Sequence, residues 1–78
     1  MVKKAHPEEY YRKLEFIGSL IREYRVNSGY SQMHLAEYLN LSRNSLSRAE
    51  RGKNITLLSL IELCETLEVD WREVLIDD

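Results

Sequence analysis

The stretch "SQMHLAEYLNLSRNSLSRAER", from Ser31 to Arg51, carries two helical patterns with almost nothing between them. Met33, Leu35, Ala36 and Leu39 recur at the spacing of one helical face; after Asn40 and Leu41 a second stripe begins, carried by Leu46 and Ala49. Ser31 and Ser42 each stand just ahead of a stripe, where a hydroxyl can accept from an orphaned N–H of the first turn. With only about three residues between them, the two short helices must meet at a tight turn.

The flanking sequence has the same character. Pro7 followed by Glu8 and Glu9 reads as a helix start, because proline suits the first helical position and acids suit the positive end of the dipole. Tyr10, Leu14, Ile17, Ile21 and Tyr24 form a stripe with Phe16 and Leu20 beside it, which carries this helix to about Asn27, where Gly29 can close it. Thr56 caps a fourth helix with Leu57, Leu60, Ile61, Cys64 and Leu67 on one face. Asp70 and Glu73 form a capping-box-like start for a last short helix bearing Trp71, Val74 and Leu75. No segment alternates with period two. The expected fold is all-α: five helices with a long first one, residues 1–6 as a flexible N-terminal arm, residues 7–78 as a single domain, and the two motif helices at about 31–39 and 42–51.

A chain of 78 residues buries only about 60–65% of the surface it exposes when unfolded, so it supports one small core. With 44% hydrophobic and 31% charged residues, the composition is that of a soluble globular domain, which excludes disordered and fibrous classes. The N-terminus "MVKKAHPEEYY" has no apolar run after its lysines and nowhere do eighteen apolar residues line up, so a cytoplasmic location and no membrane association are expected. The single cysteine, Cys64, continues an apolar stripe and reads as a small core residue. His6 and His34 lack companions at ligand spacing, no serine sits in a nucleophile elbow, and Gly18, Gly29 and Gly52 make no phosphate loop. Neither metal, cofactor nor enzymatic activity is expected.

Charge is sorted along the chain. From Ser42 to Asn54, Arg43, Arg48, Arg51 and Lys53 stand against Glu50 alone, a local +3 in a chain of net charge -2. Residues 55–78 carry Arg72 against Glu62, Glu65, Glu68, Asp70, Glu73, Asp77 and Asp78, which is -6. A basic segment set against an acidic remainder is the electrostatic footprint of a nucleic-acid contact on one face.

The run "SQMHLAEYLNLSRNSLSRAERGKN" resembles the lambda-repressor-like helix-turn-helix family, the Xre or Cro type, and the similarity extends over roughly Ile17 to Leu75. The resemblance implies that Gln32 opens the second helix and touches a phosphate, that Ala36 lets the motif helices pack closely, and that Ser42 opens the recognition helix. "SRAERGK" matches the family's S-x-x-E-x-G-K ending, which implies an ion pair between Glu50 and Arg25 on the first helix. "LLSLIELCETLEVDWREVL" resembles the closing pair of helices. Two departures stand out: Ile55 occupies a place where proline is common, and the segment before Phe16 is longer than a minimal domain needs.

The residues themselves point the same way. Arg43 and Asn44 project from the first turn of the recognition helix, where a groove-inserted helix meets base edges; Ser47 and Arg48 follow one turn on. A guanidinium donates bidentately to guanine and a carboxamide pairs with adenine. The alternative for all four is a solvated polar face. Phosphate contacts are expected from Gln32, Ser42, Arg51, Lys53 and Asn54, although Arg51 and Lys53 could instead complement their own helix dipole. Glu50 falls toward the packed side and needs Arg25 or a backbone donor. Ile55 and Leu58, off the core stripe, form a candidate dimer surface, with Tyr10, Leu14 and Ile17 as the competing one.

The function expected is sequence-specific binding of double-stranded DNA by a small transcriptional regulator, in the simplest case a repressor, acting as a homodimer on a palindromic site. The alternative is an antitoxin-like or adaptor protein-interaction module that keeps the fold and engages a protein partner through its acidic C-terminal half.

Overall fold

The computed structural model describes residues 7–53 and 55–75. Among them the chain forms five helices and no strand: α1 (Pro7–Asn27), α2 (Gln32–Tyr38), α3 (Arg43–Glu50), α4 (Leu57–Thr66) and α5 (Trp71–Val74). The all-α architecture with a long first helix is the one expected. The expected arm at residues 1–6, together with His6, Asn54, Asp77 and Asp78, lies outside the described residues.

Helix starts follow the sequence closely. Ser31, Ser42 and Thr56 hold extended backbone and accept from the N–H three residues on, at 3.0 Å for His34 and Ser45 and 3.1 Å for Ser59. Each such cap stabilises its helix by about 1 kcal/mol over alanine. Asp70 works differently from the expected capping box. Its carboxylate accepts from Arg72 N at 2.9 Å and also holds the Arg72 guanidinium at 3.0 and 3.1 Å, so its partner is Arg72 rather than Glu73.

The four longer helices end alike. The two N–H groups after each C-cap return to carbonyls of the last turn, as in Leu41 N to Ala36 O at 2.8 Å and Lys53 N to Arg48 O at 2.9 Å. The residue between is left-handed: Gly29 at φ +83°, Asn40 at +57°, Gly52 at +83° and Glu68 at +61°. Asparagine tolerates this conformation, so Asn40 makes the turn between α2 and α3 possible without a glycine. Glu68 has no such allowance and costs roughly 1–2 kcal/mol there.

Ile21, Leu35, Ala36, Leu46, Leu60, Leu63, Cys64, Leu67 and Val74 form one buried cluster to which every helix contributes. Burial of each large aliphatic side chain is worth about 1.5–3 kcal/mol, so this cluster, not propensity, holds such short helices. Helical spacing assigned some residues wrongly. Tyr10, Phe16, Met33, Leu57 and Leu75 are each about half exposed, whereas Leu63, absent from the expected stripe, is fully buried. The core simply begins later than the periodicity does. On α4 the buried face runs Leu60, Leu63, Cys64, Leu67, and on α1 every residue from Glu8 to Lys13 faces solvent. Burial, with the Asp70 charge adding to it, pushes the Cys64 thiol above its ordinary pKa, so at neutral pH it is a protonated core group.

Helix α1 lies against α3 with no side chain between them at Gly18. A Cβ there would sit 2.5 Å from Ala49 O and 2.8 Å from Glu50 O, closer than atoms can approach. Gly52 meets the same face of α1 one turn earlier: a Cβ on it would be 2.6 Å from Glu15 Cα. These two glycines bring the end of the third helix onto the backbone of the first.

Candidate nucleic-acid interface

The third helix has two chemically distinct sides. Leu46, Ala49 and Glu50 are buried, while Arg43, Asn44, Ser45 and Arg48 are exposed and Ser47 is half-buried. The inward side is fixed by a polar knot that joins three helices. Arg25 Nε donates to Glu50 Oε2 at 2.6 Å and Nη2 to Glu50 Oε1 at 3.1 Å, with both residues less than a tenth exposed. Arg25 Nη1 donates to Tyr30 O at 2.8 Å, which ties the end of α1 to the turn before α2. Gln32 Nε2 donates to Glu50 Oε1 at 3.0 Å, which ties the first turn of α2 to the last turn of α3. No buried side-chain polar atom among the described residues is left without a partner. In such a fork the carboxylate receives three donors, and removing it strands a buried guanidinium at a cost of about 3–5 kcal/mol.

Several residues expected to touch phosphate have other work in the fold. Gln32 is half-buried and gives an N–H to Glu50, a structural role that the sequence analysis does not assign to it. Ser42 commits its hydroxyl to capping, accepting from Ser45 N and donating to Ser45 Oγ at 2.8 Å. Arg51 is exposed and turns back on its own helix, Nε to Ser47 O at 3.4 Å, the dipole-complementing arrangement. Lys53 is exposed; Asn54 lies outside the described residues. By contrast, the side chains of Arg43, Asn44 and Arg48 make no hydrogen bond or ion pair among the described residues, and the fold leaves them to solvent.

The candidate dimer surface is redrawn. Ile55 is half-buried and packs against the core, because the loop after α3 turns it inward; it does not form an exposed patch with Leu58. Leu58 is 68% exposed, and its apolar neighbour is Leu57. Among the described residues no group of three or more His, Cys, Asp or Glu is placed to hold a metal ion, and no helix is long and apolar enough to cross a membrane.

This geometry has close counterparts. The sequence profile of the helix-turn-helix family matches residues 21–74. A search of curated protein sequences finds no significant match. Among solved structures, the restriction-modification controller protein C.AhdI from Aeromonas hydrophila is 34% identical over 82% of this chain and 98% of its own, with a TM-score of 0.76. The clp gene regulator ClgR from Corynebacterium glutamicum is 31% identical over 81% of this chain and 68% of its own, at 0.75. SinR, a master regulator for biofilm formation crystallised with DNA, is 32% identical over 77% of this chain and 98% of its own, at 0.71. With a tight-turned helix pair, a second helix that leaves its polar side free, and matches of this extent, the chain belongs to the lambda-repressor-like helix-turn-helix family of DNA-binding transcription regulators.

Proposed function

We propose that the protein binds double-stranded DNA at a specific sequence by laying α3 in the major groove, and that it regulates transcription as a homodimer on a palindromic site. The observation that carries this reading is the free first turn of α3. Arg43 and Asn44 are exposed, unpartnered among the described residues, and anchored on a helix whose other side is locked to α1 and α2. A rigid support with idle donors is what base readout requires, and each bidentate pair contributes about 1–3 kcal/mol of discrimination. Ser47 and Arg48 extend the reading face, and Lys53 supplies a phosphate contact from the loop beyond. The relatives named as gene regulators, one of them held with DNA, support this assignment.

Repression follows in the simplest case, by occlusion of a promoter. The exposed Leu57–Leu58 pair at the start of α4 is the apolar surface on which two copies would meet, which would set two recognition helices about 34 Å apart. Selection of bound duplexes from a random pool tests the whole reading at once. Enrichment of a two-fold symmetric site with half-sites one helical turn apart is expected; a pool that shows no enrichment over many rounds removes the claim of sequence specificity. A Leu57→Glu, Leu58→Glu variant should sediment as a monomer, and a variant that remains dimeric excludes that surface.

A further inference from the structure

Met33 shares the helical spacing of Leu35, Ala36 and Leu39, yet the fold leaves it 54% exposed and outside the core cluster to which Leu35 and Ala36 belong. It lines an open recess of about 590 Å³ where the first turns of α2 and α3 meet, and the other walls, Arg22, Arg25, Ser31, Gln32 and Arg43, are all polar. Three of these polar groups are already engaged. Arg25 is held by Glu50 and Tyr30 O, Gln32 donates to Glu50, and the Ser31 hydroxyl caps α2. Arg43, which opens the recognition helix, has no such partner among the described residues. An isolated apolar side chain on a protein surface is ordinary. Met33 differs through its neighbour: ten residues apart in sequence and on different helices, Met33 and Arg43 face one concavity, so a base pair met by the arginine has the thioether beside it.

We infer that Met33 is a specificity-determining residue, which takes the 5-methyl group of a thymine next to the base pair read by Arg43. The inference rests on the DNA-binding reading above. Among the four bases only thymine shows an apolar group in the major groove, an edge that suits an apolar side chain and gives a guanidinium nothing to donate to at the methyl. The first motif helix crosses the backbone beside the groove that holds the second, so its first turn stands at the groove's edge. A thioether on an unbranched stem fits such a contact: it adapts to a methyl group and brings no strong donor or acceptor that desolvation would strand. The two residues then read adjacent positions by opposite means, the guanidinium by donating to a guanine and the thioether by removing a methyl from water.

The experiment uses the duplex selected from a random pool, in which the Arg43 position is the base pair whose preference Arg43→Ala loses. Thymines next to that position are replaced one at a time by deoxyuridine, which keeps the pairing with adenine and removes only the 5-methyl group. Wild type should lose about fourfold in affinity when one half-site is replaced and roughly 15-fold when both are, the worth of one buried methyl in each. Met33→Ala should bind the thymine and deoxyuridine duplexes alike, and Met33→Leu, which keeps an apolar contact, should keep the preference for thymine. Both variants should melt like wild type, because Met33 stands outside the core. A selected site with no thymine beside the Arg43 position overturns the inference, as does a wild type indifferent to deoxyuridine. A methyl preference that survives in Met33→Ala overturns it too, by handing the contact to another side chain, and a clear fall in the Met33→Ala melt does so by returning the residue to a packing role. A random pool from which wild type enriches no duplex defeats the DNA-binding reading itself, a result distinct from all of these.

Discussion

The Arg25–Glu50 and Arg72–Asp70 pairs join the same two chemical groups at 2.6 and 3.0 Å, yet they do different work. The first spans 25 residues of sequence and is nearly sealed from solvent, with side-chain exposures of 10% and 2%. The second spans two residues and lies open, at 73% and 37%. Water already satisfies the open pair, so closing it gains little and its effect stays within the first turn of α5. The sealed pair had to surrender its hydration, so each partner now depends on the other, and through them α1, α2 and α3 depend on one another. Distance alone does not distinguish a structural lock from a surface ornament; burial and sequence separation do.

Substitutions at and around the two pairs separate them by size of effect. Glu50→Ala leaves the buried Arg25 guanidinium with only Tyr30 O and should cost about 3–5 kcal/mol, enough to lower the melting temperature by more than 10 °C in a domain this small. An unchanged melt would mean the knot is not what holds α3. Gly18→Ala tests the same seam sterically: its Cβ would meet the Ala49 and Glu50 carbonyls, and pushing α1 off α3 should cost roughly 1–3 kcal/mol by denaturant titration. Alanine at Gly18 that melts like wild type would show slack where close approach is claimed. Arg43→Ala should leave stability alone and reduce discrimination between selected and scrambled duplexes about 10- to 100-fold; equal losses on both would reassign Arg43 to phosphate.

The smallest effect belongs to the open pair. Hydrogen bonds from the Arg72 guanidinium and N–H hold the Asp70 carboxyl below its ordinary value of 3.8. A folded pKa below the unfolded one means the contribution is present at neutral pH and is lost as pH falls through the folded value. Arg72→Ala should shift the Asp70 titration, followed by NMR, upward toward 3.8 with a barely altered melt. A large loss of stability would erase the contrast between the pairs.

The same contrast explains what could be read from the chain. Caps at Ser31, Ser42 and Thr56 were legible because they act over three residues, and so was the inward placement of Leu35, Leu46 and Ala49. Arg25 and Glu50 came from resemblance, supported by the position of Glu50 beside Ala49. Harder to see is where the core stops: Leu57 and Tyr10 satisfy the helical period but are exposed, and Leu63 is missing from a stripe whose Leu60, Cys64 and Leu67 are buried. The Gly18 and Gly52 contacts were invisible because they depend on two backbones meeting across 34 residues, although a glycine inside a helix costs about 1 kcal/mol and thereby advertises a packing reason. The Gln32–Glu50 bond is not legible in the chain because it joins residues 18 apart that only the packing of α2 on α3 brings together.

The central claim is that the free side of α3 meets DNA while the acidic C-terminal half faces away. An amide-resolved NMR titration with a selected duplex tests it directly. The account predicts the largest shifts at Arg43, Asn44, Ser47 and Arg48, a smaller one at Lys53, and quiet signals for Glu62, Glu65 and Glu73. Shifts centred on α4 and α5 with α3 unmoved would contradict it.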